Sequence, residues 1–122
     1  PLDEVMNNCK NTNSSVFLRR VNCPIGTFNK NALSKIHKVV YDKPYDIVPE
    51  DWINAINRTD NHPQKTDRFW CSALVGYIYT SCNLLVKNTD WSELRPADFS
   101  EKYNDVLHWM NPCSLEKEQQ LL

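Results

Sequence analysis

Apolar positions recur at helical spacing through residues 71–85, where Leu74, Val75, Ile78, Cys82 and Leu85 follow Cys71 along one face of a helix that begins at a thiol. Two shorter stretches repeat the pattern. In residues 28–41, Leu33, Ile36, His37 and Val40 share a face, with Asn29 or Asn31 as the cap. In residues 49–56, Pro49 opens a helix that turns Trp52, Ile53 and Ile56 inward. Residues 1–8, with Leu2, Val5 and Met6 on their apolar side, read as a short helix or an extended arm. The period changes to two in residues 105–110, where Val106, His108 and Met110 alternate with Leu107 and Trp109, and the β-branched and aromatic run at residues 15–21 also reads as a strand.

Polar punctuation separates these elements. Residues 9–15 are Asn-rich, and Pro44 forces the chain out of the preceding helix. Residues 58–68 form the longest irregular stretch and lead straight into Cys71, a length that in compact domains often marks function. The expected architecture is therefore one α+β domain over residues 1–113, with the Cys71 helix packed on an antiparallel sheet that includes residues 15–21 and 105–110. Residues 114–122, rich in Glu, Lys and Gln, are expected as a solvated helix or a disordered tail.

Composition narrows the function classes. The chain has 122 residues, 41% of them hydrophobic, enough for a real core. Its 14 basic and 15 acidic residues give a net charge of -1 and are scattered, so no phosphate-tracking groove and no nucleic-acid partner is expected. No run of about 18 apolar residues provides a membrane span, and no secretory signal pattern opens the chain. Five cysteines, odd in number and without C-x-x-C spacing, argue against a disulfide framework and a zinc ribbon and for a reducing compartment such as the cytoplasm. Neither a metal nor a cofactor is expected.

Cys71 is the candidate for chemistry. In the first turn of a helix, unpaired backbone N–H groups and the positive end of the dipole favour the thiolate, the reactive form of cysteine. The competing reading is a small hydrophobe filling the core. A nucleophilic cysteine also needs a base, and three histidines are on offer. His37 lies on an apolar helix face, His62 precedes Pro63 in the long loop, and His108 sits on the candidate strand. Glu50-Asp51 reads as a helix-start charge pair, and the four tryptophans read as core before groove.

The wording around Cys71 resembles a known family. Phe69-Trp70-Cys71-Ser72-Ala73-Leu74-Val75, Asn83-Leu84-Leu85 and Arg95-Pro96-Ala97-Asp98-Phe99 look like the C-terminal signature of the circularly permuted NlpC-type papain-like cysteine hydrolases. Upstream, Pro1-Leu2-Asp3-Glu4-Val5, Val16-Phe17-Leu18-Arg19-Arg20-Val21 and Lys43-Pro44-Tyr45-Asp46 resemble further family segments in the family's order. The family's Glu after Cys-Ser is Ala73 here, and its Gly before Lys-Pro-Tyr-Asp is Asp42.

The resemblance implies a papain-like fold, Cys71 as a thiol nucleophile and an acyl-thioester route to an amide, peptide or lipid-ester bond. In the permuted order the catalytic His lies on a strand upstream of these segments. An N-terminal fragment of the same precursor, or another chain, is then expected to complete the domain and cover an unpaired edge at residues 15–21. In the unpermuted papain order the His follows the Cys on a strand, which makes His108 the in-chain candidate. The alternative to an enzyme is a structural or assembly subunit, for example a virion component, that keeps the fold without the chemistry.

Overall fold

The computed structural model describes residues 1–24, 26, 28, 30–59 and 64–122. Asn29, one of the two candidate caps, and His62, one of the three candidate bases, fall outside the described residues. The chain divides into two compact units, residues 1–22 with 115–122 and residues 23–114, where the sequence suggested one domain and a tail.

In the smaller unit, helix α1 (Leu2–Asn11) carries Asp3 and Glu4 in its first turn and Lys10 in its last, each complementing the helix dipole. It ends where Asn13 takes a positive φ of 52° and the Ser14 N–H donates to Cys9 O at 2.9 Å. Residues 15–21 do not form one strand. They contribute β1 (Phe17–Leu18) and the start of β2 (Val21–Asn22), separated by Arg19 and Arg20.

The C-terminal residues are neither helical nor loose. They supply β3 (Ser114–Leu115) and β4 (Gln119–Gln120), and among the described residues there are two two-stranded sheets, β1 with β4 and β2 with β3. In the antiparallel β1–β4 pair, Phe17 lies opposite Gln120 and Leu18 opposite Gln119. Further bonds from Leu121 N–H to Val16 O (2.8 Å) and Val16 N–H to Leu122 O (3.1 Å) extend this pairing, and Arg19 Nε donates to Glu116 O at 2.8 Å. Backbone groups of 116–122 thus find partners in 16–20, so the chain's own C-terminus fills one edge of the strand that was expected to need another polypeptide.

The larger unit is helical. α2 (Lys30–Val40) includes Asn31, the other candidate cap, as its second residue and buries Ile36. After it, Asp42 adopts φ 59°, the left-handed conformation that glycine takes freely and Asp tolerates better than most residues, at the position where the family motif has Gly. The chain then runs beside Phe69, whose N–H donates to Pro44 O and whose O accepts the Asp46 N–H at 2.9 Å. α3 (Pro49–Asn57) starts with Pro and two acidic residues, both suited to a helix N-terminus. It buries Ala55 alone: Trp52, Ile53 and Ile56, expected to point inward, are 43%, 55% and 63% exposed.

α4 (Cys71–Ser81) is shorter than expected, because Asn83 turns left-handed at φ 60° and brings the Leu84 N–H back to Tyr79 O at 2.8 Å. That turn drives Leu84 and Leu85 into full burial. The helix packs on the 3₁₀ turn Trp91–Glu93 and on α2 rather than on a sheet. Its buried side is Ser72, Ala73 and Gly76, while Leu74, Val75 and Ile78 are half-buried. Residues 105–110 are not a strand either. Only an isolated bridge between Leu85 and Trp109 forms, flanked by Val86 N–H to His108 O and Met110 N–H to Leu84 O.

Phe69, Tyr77 and Trp91 form a ring cluster with centroids 5.2 to 5.6 Å apart beside this core. A disulfide joins Cys23 to Cys113, tying the two ends of the larger unit across 90 residues and leaving Cys9, Cys71 and Cys82 as thiols. An odd cysteine count had pointed to thiols throughout. No helix among the described residues is long and apolar enough to cross a membrane.

Candidate functional site

Cys71 is the first residue of α4, following Trp70 in extended conformation, and its side chain is exposed. No side chain caps this helix start, so its first N–H groups have no acceptor from a cap. The two neighbours of Cys71 hold the start in place. Trp70 Nε1 donates to Leu94 O at 3.0 Å, and Ser72 Oγ donates to the same oxygen at 2.6 Å. One carbonyl thereby anchors both flanks of the cysteine to the segment that continues as Arg95-Pro96-Ala97-Asp98.

That segment is a 3₁₀ turn, Pro96–Phe99, closed by a fully buried carboxylate. Asp98 Oδ2 accepts the Arg95 N–H at 2.9 Å, and Oδ1 accepts from Arg58 Nη2 at 2.8 Å and Arg95 Nη2 at 3.2 Å. Burial alone would push the Asp98 carboxyl up. The Arg95 amide and the guanidinium groups of Arg58 and Arg95 outweigh it and hold the pKa below the usual carboxylate value. Arg58 reaches this site from the left-handed C-cap of α3, so the ion pair also fixes α3.

On the other side, Arg68 donates to Asp51 Oδ2 at 2.7 Å and lies 3.4 Å from buried Asp46, which also accepts the Val48 N–H. These contacts lace the Lys43-Pro44-Tyr45-Asp46 turn and α3 to the residues just before Cys71. Trp52 Nε1 adds a bond to Asp46 O at 3.0 Å.

The result is an apolar groove of about 220 Å³ lined by Tyr45, Trp52, Ala55, Ile56, Trp70, Cys71, Arg95 and Pro96. Three separate segments singled out in the sequence, Lys43–Asp46, Phe69–Val75 and Arg95–Phe99, meet at this groove. The walls from α3 were missed, because Trp52 and Ile56 read as core and their exposure depends on which neighbour α3 meets. The Arg58–Asp98 pair was also missed, since 40 residues separate its partners.

The structure does not bring His108 to Cys71. The His108 carbonyl is held by Val86, beyond the far end of α4. Eleven residues of helix at 1.5 Å each put about 15 Å between the ends of α4. The His108 side chain is exposed there. His37 is exposed on α2, with its ring 4.9 Å from that of Tyr41. Neither histidine lines the groove. Cys82, deeper along the chain, is buried, and burial pushes its thiol pKa up, which suits a packing role. Among the described residues no group of three His, Cys, Asp or Glu side chains is placed to hold a metal.

Comparison with protein-family models, with curated proteins and with solved structures found no match to this chain.

Proposed function

We propose that the chain is the nucleophile-bearing part of a papain-like cysteine hydrolase, with Cys71 as nucleophile. The observation that carries this reading is an exposed thiol at the uncapped first position of α4, opening onto an apolar groove. In this mechanism the Cys71 thiolate attacks the carbonyl carbon of an amide or ester. The oxyanion that forms lies against N–H groups at the start of α4. Collapse expels the amine or alcohol, which takes the proton that the base removed from the thiol. Water, deprotonated by the same base, then cleaves the thioester, giving a carboxylate and restoring the thiol.

Among the described residues the groove's lining has no histidine, so the base in this proposal comes from outside them, for example from an upstream fragment of the same precursor or a second chain. The second reading is an inactive structural or assembly subunit, for example of a virion. It is favoured by Ala73, which stands where the family has Glu and is buried among the residues that pack α4. For the compartment, a working Cys71 thiol favours reducing surroundings or the interior of a virion, while the Cys23–Cys113 bond counts against a strongly reducing one.

Imidazole rescue tests the enzyme reading. The folded chain is incubated with p-nitrophenyl acetate and increasing imidazole, with Cys71→Ala as the reference. The expected result is a Cys71-dependent release of nitrophenol that rises with imidazole, together with an acetyl group on the Cys71 peptide. Equal rates in the two proteins would reject the nucleophile and leave the structural reading.

A further inference from the structure

Arg95 stands in the wall of the Cys71 groove with one buried hydrogen-bond donor unpaired among the described residues. Its Nη2 is committed to Asp98 Oδ1 and its main-chain N–H to Asp98 Oδ2. Its Nε is shielded from solvent and has no acceptor among the described residues. Buried donors without partners are rare in native proteins, and each calls for an explanation such as a ligand or an ordered water. The charges point the same way. Among the described residues, Asp98 alone brings a negative charge to the guanidinium groups of Arg58 and Arg95, which leaves one positive charge in excess.

Among the described residues the rest of the groove lining is apolar or aromatic and includes no carboxylate. Trp52 and Ile56 form part of this wall and stay largely uncovered. The groove, about 220 Å³ and open to solvent, admits a ring or a short hydrocarbon chain.

We propose that this groove binds a short-chain or cyclic apolar carboxylate, or the acyl group derived from it, with an oxygen on Arg95 and the hydrocarbon part against Trp52 and Ile56. The inference rests on reading Cys71 as the nucleophile insofar as it names the acyl side of the substrate, because hydrolysis through a thioester releases such a carboxylate. Arg95 is then a binding residue for the carboxylate that hydrolysis releases, and Ile56 one that distinguishes acyl groups by size and polarity.

Competitive alkylation of the folded full chain tests this without needing turnover. Bromoacetamide, bromoacetate and α-bromohexanoate are reacted in turn, and peptide mass spectrometry gives the rate at Cys71 relative to Cys9, the half-buried thiol of the other unit. Relative to Cys9, bromoacetate should gain about tenfold over bromoacetamide at Cys71, the size of one charge-assisted hydrogen bond. α-Bromohexanoate should gain further over bromoacetate. Arg95→Met should remove the first gain and keep the second, whereas Ile56→Asn should remove the second and keep the first. Identical ratios at Cys71 and Cys9 in the unaltered chain would overturn the proposal, whatever the variants do. Selectivity without imidazole-rescued turnover would retain the binding site and reject the hydrolase. Turnover without selectivity would do the reverse.

Discussion

Gly76 lies so close to Leu94 that a Cβ built on it would stand 2.5 Å from Leu94 Cδ1 and 3.1 Å from Trp91 Cβ. Helix α4 is therefore seated by its small residues, with Ser72, Ala73 and Gly76 admitting the bulky Trp91 and Leu94. Gly76→Ala should gain up to about 1 kcal/mol of helix propensity but lose about 1–3 kcal/mol to overpacking. A lower urea midpoint is the expected outcome, and an unchanged or higher one would mean that Leu94 can swing aside.

This packing also shows where the sequence could be read and where it could not. The start of α4 at Cys71 was legible from the apolar spacing, and so was the turn at Arg95–Phe99. The face was not. Periodicity favours the side with Leu74, Val75 and Ile78, yet the helix is apolar nearly all round, and its deepest contact was decided by the size of Trp91 and Leu94. α3 failed for a related reason. It packs on the Trp91 turn and buries only Ala55, while Trp52, Ile53 and Ile56 remain outside. Residues 15–21 kept their extended character, but their partners proved to be residues 114–122, which carry too few apolar positions to announce a strand.

The Cys23–Cys113 disulfide closes the larger unit end to end across 90 residues. Loop-closure entropy for a span of that size is worth roughly 4 to 5 kcal/mol. Reduction, or Cys23→Ser, should therefore lower the urea midpoint markedly. Titration of the unfolded, unreduced chain should find three thiols, those of Cys9, Cys71 and Cys82, and reduction should raise the count to five. Five thiols before reduction would show that the bond does not form under those conditions.

Asp98 should govern the acid limb of stability. Its two guanidinium partners are about a third exposed, at 35% for Arg58 and 32% for Arg95, but the carboxylate itself is fully buried. Because its folded pKa lies below the unfolded value of about 3.9, the group contributes stability that is fully present above that value. The contribution is lost as pH falls through the lower, folded pKa, since the native state must then bind a proton it holds poorly. Asp98→Asn keeps the shape and removes this linkage. At neutral pH it should cost roughly 2 to 3 kcal/mol, less than a fully buried pair because water still screens the arginines. Thermal midpoints measured from about pH 6 down to pH 2 should fall steeply in the unaltered chain below about pH 4 and more gently in the variant, so that the two curves converge in acid. Parallel curves would mean that other carboxylates set the acid limb, and that the Arg58–Asp98–Arg95 cluster beside Cys71 is not the anchor of this wall of the groove.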